Sequence, residues 1–147
     1  MIVRAQTIHL KQIVEIEHSS FRKPWSENDF KKDITKSASI NFVYLHESNV
    51  IGYIFGLHII DEYHLLNIAV KKIYRKNRIA IKLFKYLEQY LKNIKVKTVL
   101  LEVSTSNLPA LNLYKKVGFI RNGQRKNYYA NGDDAILMYW SFNDRMV

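Results

Sequence analysis

The alternation of apolar and polar positions divides the chain into short strands and longer amphipathic helices. Period-two stretches and short apolar runs predict strands over residues 2–5, 40–46, 50–60, 63–70, 97–104, 119–125 and 135–142. Apolar spacings of three and four predict helices over residues 8–19, 26–36, 75–93 and 107–116. Thr7, Ser26 and Asn107 stand at predicted N-cap positions, and Gly118 stands at a predicted left-handed helix end.

The order of these elements predicts a mixed α/β (α+β) fold, with a sheet of six to seven strands flanked by about four helices. The helix over residues 75–93 connects its two neighbouring strands by a right-handed crossover, so those strands form a central parallel pair. Gly52 and Gly56 lie inside a strand and indicate a bulge or a close backbone approach. Because no linker-like stretch interrupts the chain, we expect a single domain over residues 1–147.

Positive charge is concentrated between the strand at residues 63–70 and the helix that follows it. The cations of this bend are Lys71, Lys72, Arg75, Lys76 and Arg78. Cations are unfavourable at a helix N-terminus, which already bears a partial positive charge. The bend therefore predicts either an anion bound to the free N–H groups of the helix or an ordinary solvated basic loop.

Composition narrows the classes of function. Lys and Arg number 23 against 13 Asp and Glu, and the net charge of +10 favours an anionic partner such as a phosphorylated cofactor, an acidic protein or a nucleic acid. The chain has no cysteine, and its five histidines lack the spacing of a metal site, so we expect no disulfide, thiol nucleophile or metal. No apolar run approaches the roughly 20 residues that cross a bilayer, and no signal peptide is visible, so we expect a cytoplasmic protein without a membrane partner.

Three polar residues are candidates for chemistry. Glu102 interrupts an apolar strand, and such a strand is expected to be central and covered on both faces. A carboxylate there is unfavourable unless it is paired or lines a wet cleft. It is either a general base or one half of an ion pair on the sheet. Asn107 and Tyr114 lie two helical turns apart and therefore share a face. They are either a helix cap and a core tyrosine or two groups that address one groove.

Residues 70–119 resemble the core of the GCN5-related N-acetyltransferases (GNAT), which transfer an acetyl group from acetyl-CoA to an amine. The family signature has Arg/Gln-x-x-Gly-x-Gly/Ala at the mouth of a helix, then Asn-x-x-Ala-x-x-x-Tyr and Gly-Phe. The matching residues here are Arg75-Lys76-Asn77-Arg78-Ile79-Ala80, then Asn107, Ala110, Tyr114, Gly118 and Phe119. Residues 21–26, 66–70, 101–103, 125–129 and 134–138 narrow the resemblance to protein N-terminal acetyltransferases, of the ribosomal-protein-alanine type in bacteria and its archaeal relatives.

The resemblance implies a GNAT-like domain, acetyl-CoA as cosubstrate and a protein N-terminus as substrate, with ribosomal protein S18 as a candidate. It implies that Glu102 is the general base for direct attack of the amine without an acyl-enzyme, and that Tyr114 is the general acid. The cofactor-binding residues that it implies are Ile68, Ala69, Val70, Arg75, Lys76, Asn77, Arg78, Ile79, Ala80 and Asn107. The residues that it places on loops flanking the peptide entrance are Phe21, Trp25, Tyr128 and Tyr129.

Arg78 occupies the place where the family signature has its first glycine. In the family this turn holds the CoA pyrophosphate on its N–H groups, and glycine lets the backbone come close. Two outcomes are open. Arg78 either keeps a negative φ and offers its guanidinium to a phosphate, or it crowds the turn and weakens CoA binding.

Two alternatives to a protein N-terminal acetyltransferase remain. A small-amine acetyltransferase, for polyamines or aminosugars, fits less well because the loops with Trp25 and Tyr128 indicate a walled peptide groove. A non-catalytic CoA- or nucleic-acid-binding module would use the charge of +10 but would not need Glu102 and Tyr114. No RNA-binding signature is visible, so we expect no specific nucleic-acid partner, and we expect a monomer or weak dimer.

Overall fold

The structure is a computed structural model that describes residues 1–142, so the last five residues of the predicted domain lie outside the described part. The strands are β1 (Ile2–Arg4), β2 (Ser39–His46), β3 (Asn49–Ile59), β4 (Glu62–Val70), β5 (Thr98–Ser104), β6 (Ile120–Arg125) and β7 (Ala135–Ser141). The α-helices are α1 (Leu10–Ser20), α2 (Glu27–Thr35), α3 (Ile79–Asn93) and α4 (Leu108–Val117). Short 3-10 helices at Thr7–His9 and Lys72–Tyr74 precede α1 and α3.

All of these strands form one sheet in the order β1-β2-β3-β4-β5-β7-β6. Neighbouring strands are antiparallel except β4 and β5, which are parallel, as the sequence predicts. The pairing of β4 with β5 covers only residues 62–64 and 98–100. Beyond these three residue pairs β4 and β5 are not paired with each other. The C-terminal halves of the two strands can therefore line a cleft.

Two apolar clusters cover the two faces of the sheet. One contains the apolar residues of α3 and α4, with alternate strand residues such as Phe42 and Ile54. The other contains those of α1 and α2, with Val43 and Phe55. Residues one apart in a strand point to opposite faces, so the period-two pattern of β2 and β3 accounts for a sheet with helices on both sides. The confirmed fold is thus a seven-stranded mixed sheet between two helical layers.

Gly56 marks a close approach between β3 and β4. A Cβ atom at this position would lie 2.2 Å from the ring of Tyr63 and 2.6 Å from the carbonyl oxygen of His64. The strand register shifts between Phe55 and Gly56, so β4 contributes an extra residue, Leu66, opposite this point. The bulge predicted from the glycine is confirmed, and it lies where β4 leaves β5.

Two of the three predicted N-caps and the predicted C-terminal glycine cap are confirmed. The Ser26 hydroxyl accepts the backbone N–H of Asp29 at 3.1 Å, and the Asp29 carboxylate accepts the N–H of Ser26 at 2.8 Å. The side-chain oxygen of Asn107 accepts the N–H of Ala110 at 3.3 Å. Gly118 ends α4 with a φ of 106°, as predicted. Thr7 was the wrong cap for α1, because it lies inside the preceding 3-10 helix.

The predicted start of the third helix was also wrong. Residue 75 lies in extended backbone, and α3 begins only at Ile79. Lys76 and Arg78 have φ values of 69° and 62°, which a right-handed helix does not allow. The cationic bend is therefore a loop that leads into α3. At 15 residues α3 is amphipathic, and none of the helices within residues 1–142 is long and apolar enough to cross a membrane.

Candidate functional site

The separation of β4 from β5 opens a cavity of about 560 Å³, called here the cleft cavity. Its walls come from β4, β5, the start of α4 and the ends of two loops. Residues from the sequence-predicted site that line it are Phe21, Ile68, Ala69, Val70, Arg75, Ala80, Glu102, Asn107, Tyr114 and Tyr129. Residues far apart in the chain therefore meet in one space.

A second cavity, the bend cavity, continues from the cleft cavity along the start of α3. It has a volume of about 310 Å³ and shares Val70, Arg75 and Ala80 with the cleft cavity. Its basic residues are Arg75, Lys76, Arg78 and Lys116. Arg75 is fixed in place, because its Nε donates to the carbonyl oxygen of Val70 at 3.0 Å and its Nη2 donates to Ser20 Oγ at 3.1 Å.

Arg78 does not keep the negative φ that the first of the two outcomes required, and the effect of this residue on CoA binding stays a prediction. Its φ of 62° is left-handed, so its backbone has the conformation for which glycine is favoured. Its side chain lines the bend cavity, where it adds a positive charge. Asn77 differs from its neighbours, since its side-chain amide donates to the carbonyl oxygen of Tyr74 at 3.2 Å and it lies outside both cavities.

Glu102 stands in the wall between the cleft cavity and a third space of about 510 Å³, the edge cavity. Its side chain is 35% exposed, so the strand does not bury it on both faces as the sequence predicted. Arg125 Nη1 lies 3.6 Å from its Oε1, and hydrogen bonding and negative charge from Glu102 raise the pKa of the Tyr128 phenol. The ion pair considered as the structural alternative is present, and the carboxylate also faces solvent-filled space.

Tyr114 projects from α4 into the floor of the cleft cavity and is only 8% exposed. Its ring lies edge-on to Phe119 at 5.7 Å and to Phe84 at 6.1 Å, so it is also a core tyrosine. Burial raises its pKa to about 12, and the nearby Tyr129 phenol contributes in the same direction. At neutral pH Tyr114 is therefore a hydrogen-bond donor that holds its proton firmly.

The four aromatic residues predicted at the peptide entrance divide into two groups. Phe21 lines the cleft cavity, Tyr128 lines the edge cavity, and Tyr129 lines both. Trp25 instead packs against Phe30 at 5.1 Å and Phe55 at 6.4 Å between ring centroids. These contacts pack the half-buried Trp25 ring against the core under α1 and α2, and Trp25 lies outside all three cavities.

Glu17 is a feature of the site that the sequence reasoning missed. This carboxylate lies on α1 and is only 2% exposed. It accepts hydrogen bonds from Tyr53, from Asn67 and from the backbone N–H of Trp25. A signal was available, because Glu17 follows Ile13 by four residues and therefore lies on the apolar face of the helix.

Comparison with known proteins identifies the family. The sequence profile of the acetyltransferase (GNAT) family matches residues 10–119. A Bacillus subtilis (strain 168) protein, provisionally named a ribosomal protein bS18-alanine N-acetyltransferase, is 33% identical over 137 residues, which cover 92% of this chain and 91% of the relative. An N-alpha-acetyltransferase of Sulfurisphaera tokodaii is 30% identical over 150 residues, which cover 93% of this chain and 90% of the relative.

A solved structure gives the same result. The crystal structure of the ribosomal-protein-S18-alanine N-acetyltransferase from Escherichia coli superposes with a TM-score of 0.88 at 30% identity, covering 96% of this chain and 92% of that one. The predicted family and fold are therefore confirmed by sequence and by structure. This chain belongs to the acetyltransferase (GNAT) family and is an N-acetyltransferase that uses acetyl-CoA.

Proposed function

We propose that the protein is an N-α-acetyltransferase that moves the acetyl group of acetyl-CoA to the free N-terminal amine of a protein. The observation that carries the proposal is the position of Glu102 in the wall shared by the cleft and edge cavities. Leu66 and Tyr129 belong to the same wall. A donor in one cavity and an acceptor in the other would meet at this carboxylate.

The cleft and bend cavities together suit acetyl-CoA. The pyrophosphate would lie at the bend, where Lys76, Arg78 and Lys116 supply positive charge and the first N–H groups of α3 are free. The pantetheine arm would follow the shared wall at Val70 and Ala80 into the cleft. The backbone groups of Ile68 and the N–H of Val70 face away from β3 and lack partners on β5, so they are available to hydrogen bond with the arm and the thioester carbonyl.

The chemistry is direct transfer. Glu102, directly or through water, takes a proton from the α-ammonium, whose ordinary pKa of about 7.7–8.0 makes this step easy near neutral pH. The neutral amine attacks the thioester carbonyl, the C–S bond breaks as the amide forms, and the proton that the nitrogen then loses passes to water. The CoA thiolate leaves beside Tyr114, which donates a hydrogen bond to the sulfur. With a pKa of about 12 for Tyr114, complete proton transfer to a thiolate needs help from the site, so its geometry matters most.

The edge cavity favours a peptide over a small amine as the acceptor. Its lining includes His64, Asn122, Arg125, Tyr128 and Tyr129, and its volume of about 510 Å³ is large for a single small amine. The names of the B. subtilis and E. coli proteins make the N-terminal alanine of ribosomal protein S18 the leading candidate substrate. A monomer or weak dimer, a cytoplasmic location and a single domain over residues 1–147 remain predictions from the sequence.

The proposal is tested with purified protein, acetyl-CoA and synthetic peptides. A peptide with a free N-terminal Ala or Ser should be acetylated on its α-amine, and the same peptide with a blocked N-terminus should not. Turnover on spermine with none on any peptide would favour the small-amine alternative. Tight RNA binding without acetyl transfer would favour a binding module.

A further inference from the structure

Glu17 is a buried carboxylate for which the proposed chemistry has no use. Three donors from three separate segments meet its two oxygens. The Tyr53 hydroxyl on β3 donates at 2.5 Å, Asn67 Nδ2 on β4 donates at 2.9 Å, and the backbone N–H of Trp25 donates at 2.9 Å. Such a group is unfavourable to bury unless its acceptors are satisfied, so these donors explain how α1 tolerates it.

The contact with Asn67 has a consequence for the cleft cavity. An ionised carboxylate only accepts hydrogen bonds, so the Asn67 side chain must turn its NH₂ group toward Glu17. The amide oxygen branches from the same carbon and is therefore turned away from Glu17. Asn67 is half-buried and lines the cleft cavity beside Ile68. Its oxygen is thus an acceptor held in a single orientation at the cavity wall.

We propose that Glu17 is a positioning residue for acetyl-CoA, acting through Asn67. By fixing the Asn67 amide, it presents Oδ1 as the acceptor for an amide N–H of the acetyl-pantetheine arm. This inference rests on the proposed assignment of the cleft cavity to that arm. The same carboxylate holds the Trp25 backbone, so it also anchors the loop that carries Phe21 against β4.

The third donor, Tyr53, provides an internal comparison. Burial and the adjacent Glu17 carboxylate raise the pKa of Tyr53 well above its ordinary value, so it stays a protonated donor. Its ring lies between Phe30 and Phe55 in the core, outside the cleft cavity. Loss of its hydroxyl removes one bond to Glu17 without touching the orientation of Asn67.

The test is a mutant cycle with Glu17→Gln, Asn67→Ala and the double variant, measured as the acetyl-CoA Kd by calorimetry and as the KM for acetyl-CoA and for an Ala-starting peptide. Each single variant should raise the acetyl-CoA Kd and KM about tenfold, the effect of losing one hydrogen bond, and change the peptide KM less than about twofold. The double variant should be no worse than the worse single one, because both act on one contact.

Two control variants separate positioning from stability. Glu15→Gln makes the same chemical change at an exposed site of the same helix and should leave every constant at its wild-type value. Tyr53→Phe should lower Tm while the acetyl-CoA Kd stays unchanged. If Glu17→Gln lowers Tm but leaves the acetyl-CoA Kd at its wild-type value, Glu17 is only structural and the inference is wrong.

Additive losses in the double variant would overturn the inference as well. If Glu17→Gln does not fold, Asn67→Ala at its half-buried site still tests the inference. An unchanged acetyl-CoA Kd in that variant would show that the proposed contact is not made. Failure of this inference can be told apart from failure of the proposed function. Calorimetry with acetyl-CoA needs no acceptor, so a wild-type protein that acetylates no N-terminus would end the first proposal without deciding the second.

Discussion

Replacing Arg78 with glycine separates the role of its backbone from that of its side chain. The left-handed φ of 62° disfavours a residue with a Cβ atom by about 1–2 kcal/mol. Glycine loses roughly 0.5–1 kcal/mol through its greater backbone entropy in the unfolded chain. The free energy of unfolding of Arg78→Gly should therefore rise by about 0.5–1 kcal/mol, which corresponds to a Tm higher by roughly 1–4 °C.

The Arg78 side chain should strengthen acetyl-CoA binding. Arg78 lines the bend cavity with Lys76 and Lys116, and one solvent-exposed contact with a phosphate is worth about 1 kcal/mol. Loss of that contact should weaken the acetyl-CoA Kd roughly fivefold. The expected variant is thus more stable and binds acetyl-CoA less well. Thermal denaturation and isothermal calorimetry measure the two effects separately.

Lys95→Gly is the matched control. Lys95 is also a cation with a left-handed φ, of 64°, but it lies in the exposed turn after α3 and outside the bend cavity. This variant should gain a similar increase in Tm with no change in acetyl-CoA Kd. A lower Tm for Arg78→Gly would contradict the left-handed backbone. An unchanged or tighter Kd would show that the guanidinium does not contact a phosphate.

Three further predictions follow from the site and its frame. Glu102→Gln and Tyr114→Phe should each lower turnover by roughly 100-fold in steady-state assays with the acetyl-CoA Kd nearly unchanged, and wild-type rates in both would overturn the assigned chemistry. Gly56→Ala should lower the free energy of unfolding by about 1–3 kcal/mol in denaturant titrations, because its Cβ would lie 2.2 Å from the Tyr63 ring; a wild-type value would contradict the close approach. Hydrogen bonds from Ser106, Ser104 and Asn131 lower the pKa of the Asp133 carboxyl, so it stabilises the fold above its unfolded pKa and the effect is lost as pH falls through its folded pKa. Asp133→Asn should therefore lower Tm at pH 7 but not in acid below that folded pKa, and an equal difference at both pH values would refute this reasoning.

The parts of the fold that local patterns encode could be predicted from the sequence. The apolar face of α3 and the caps at Ser26, Asn107 and Gly118 depend on neighbours within a turn or two, and the structure has them. The short pairing of β4 with β5 could not be predicted, because register across a parallel pair depends on the whole sheet. If β4 and β5 were paired along their full length, Glu102 would lie in a strand covered on both faces, which is what the sequence predicted.

Two site residues show why tertiary packing decides the rest. The family resemblance places Trp25 on a loop at the peptide entrance, but its contacts with Phe30 and Phe55 pack its half-buried ring against the core. Glu17 is the opposite case. A charged residue among apolar helix positions is usually expected to be solvent-exposed, but Glu17 is buried. Its three hydrogen-bond donors are distant in sequence, and only the fold brings them together.

The most direct test of the account is a mass-spectrometric survey of which amines the purified enzyme acetylates. A mixture of unblocked peptides that differ in their first residues, each with an internal lysine, is incubated with acetyl-CoA, and the acetylated positions are sequenced. The account predicts acetyl groups on α-amines, with Ala- and Ser-starting peptides among the products. Acetylation confined to lysine side chains, or to a small amine added as competitor, would contradict it.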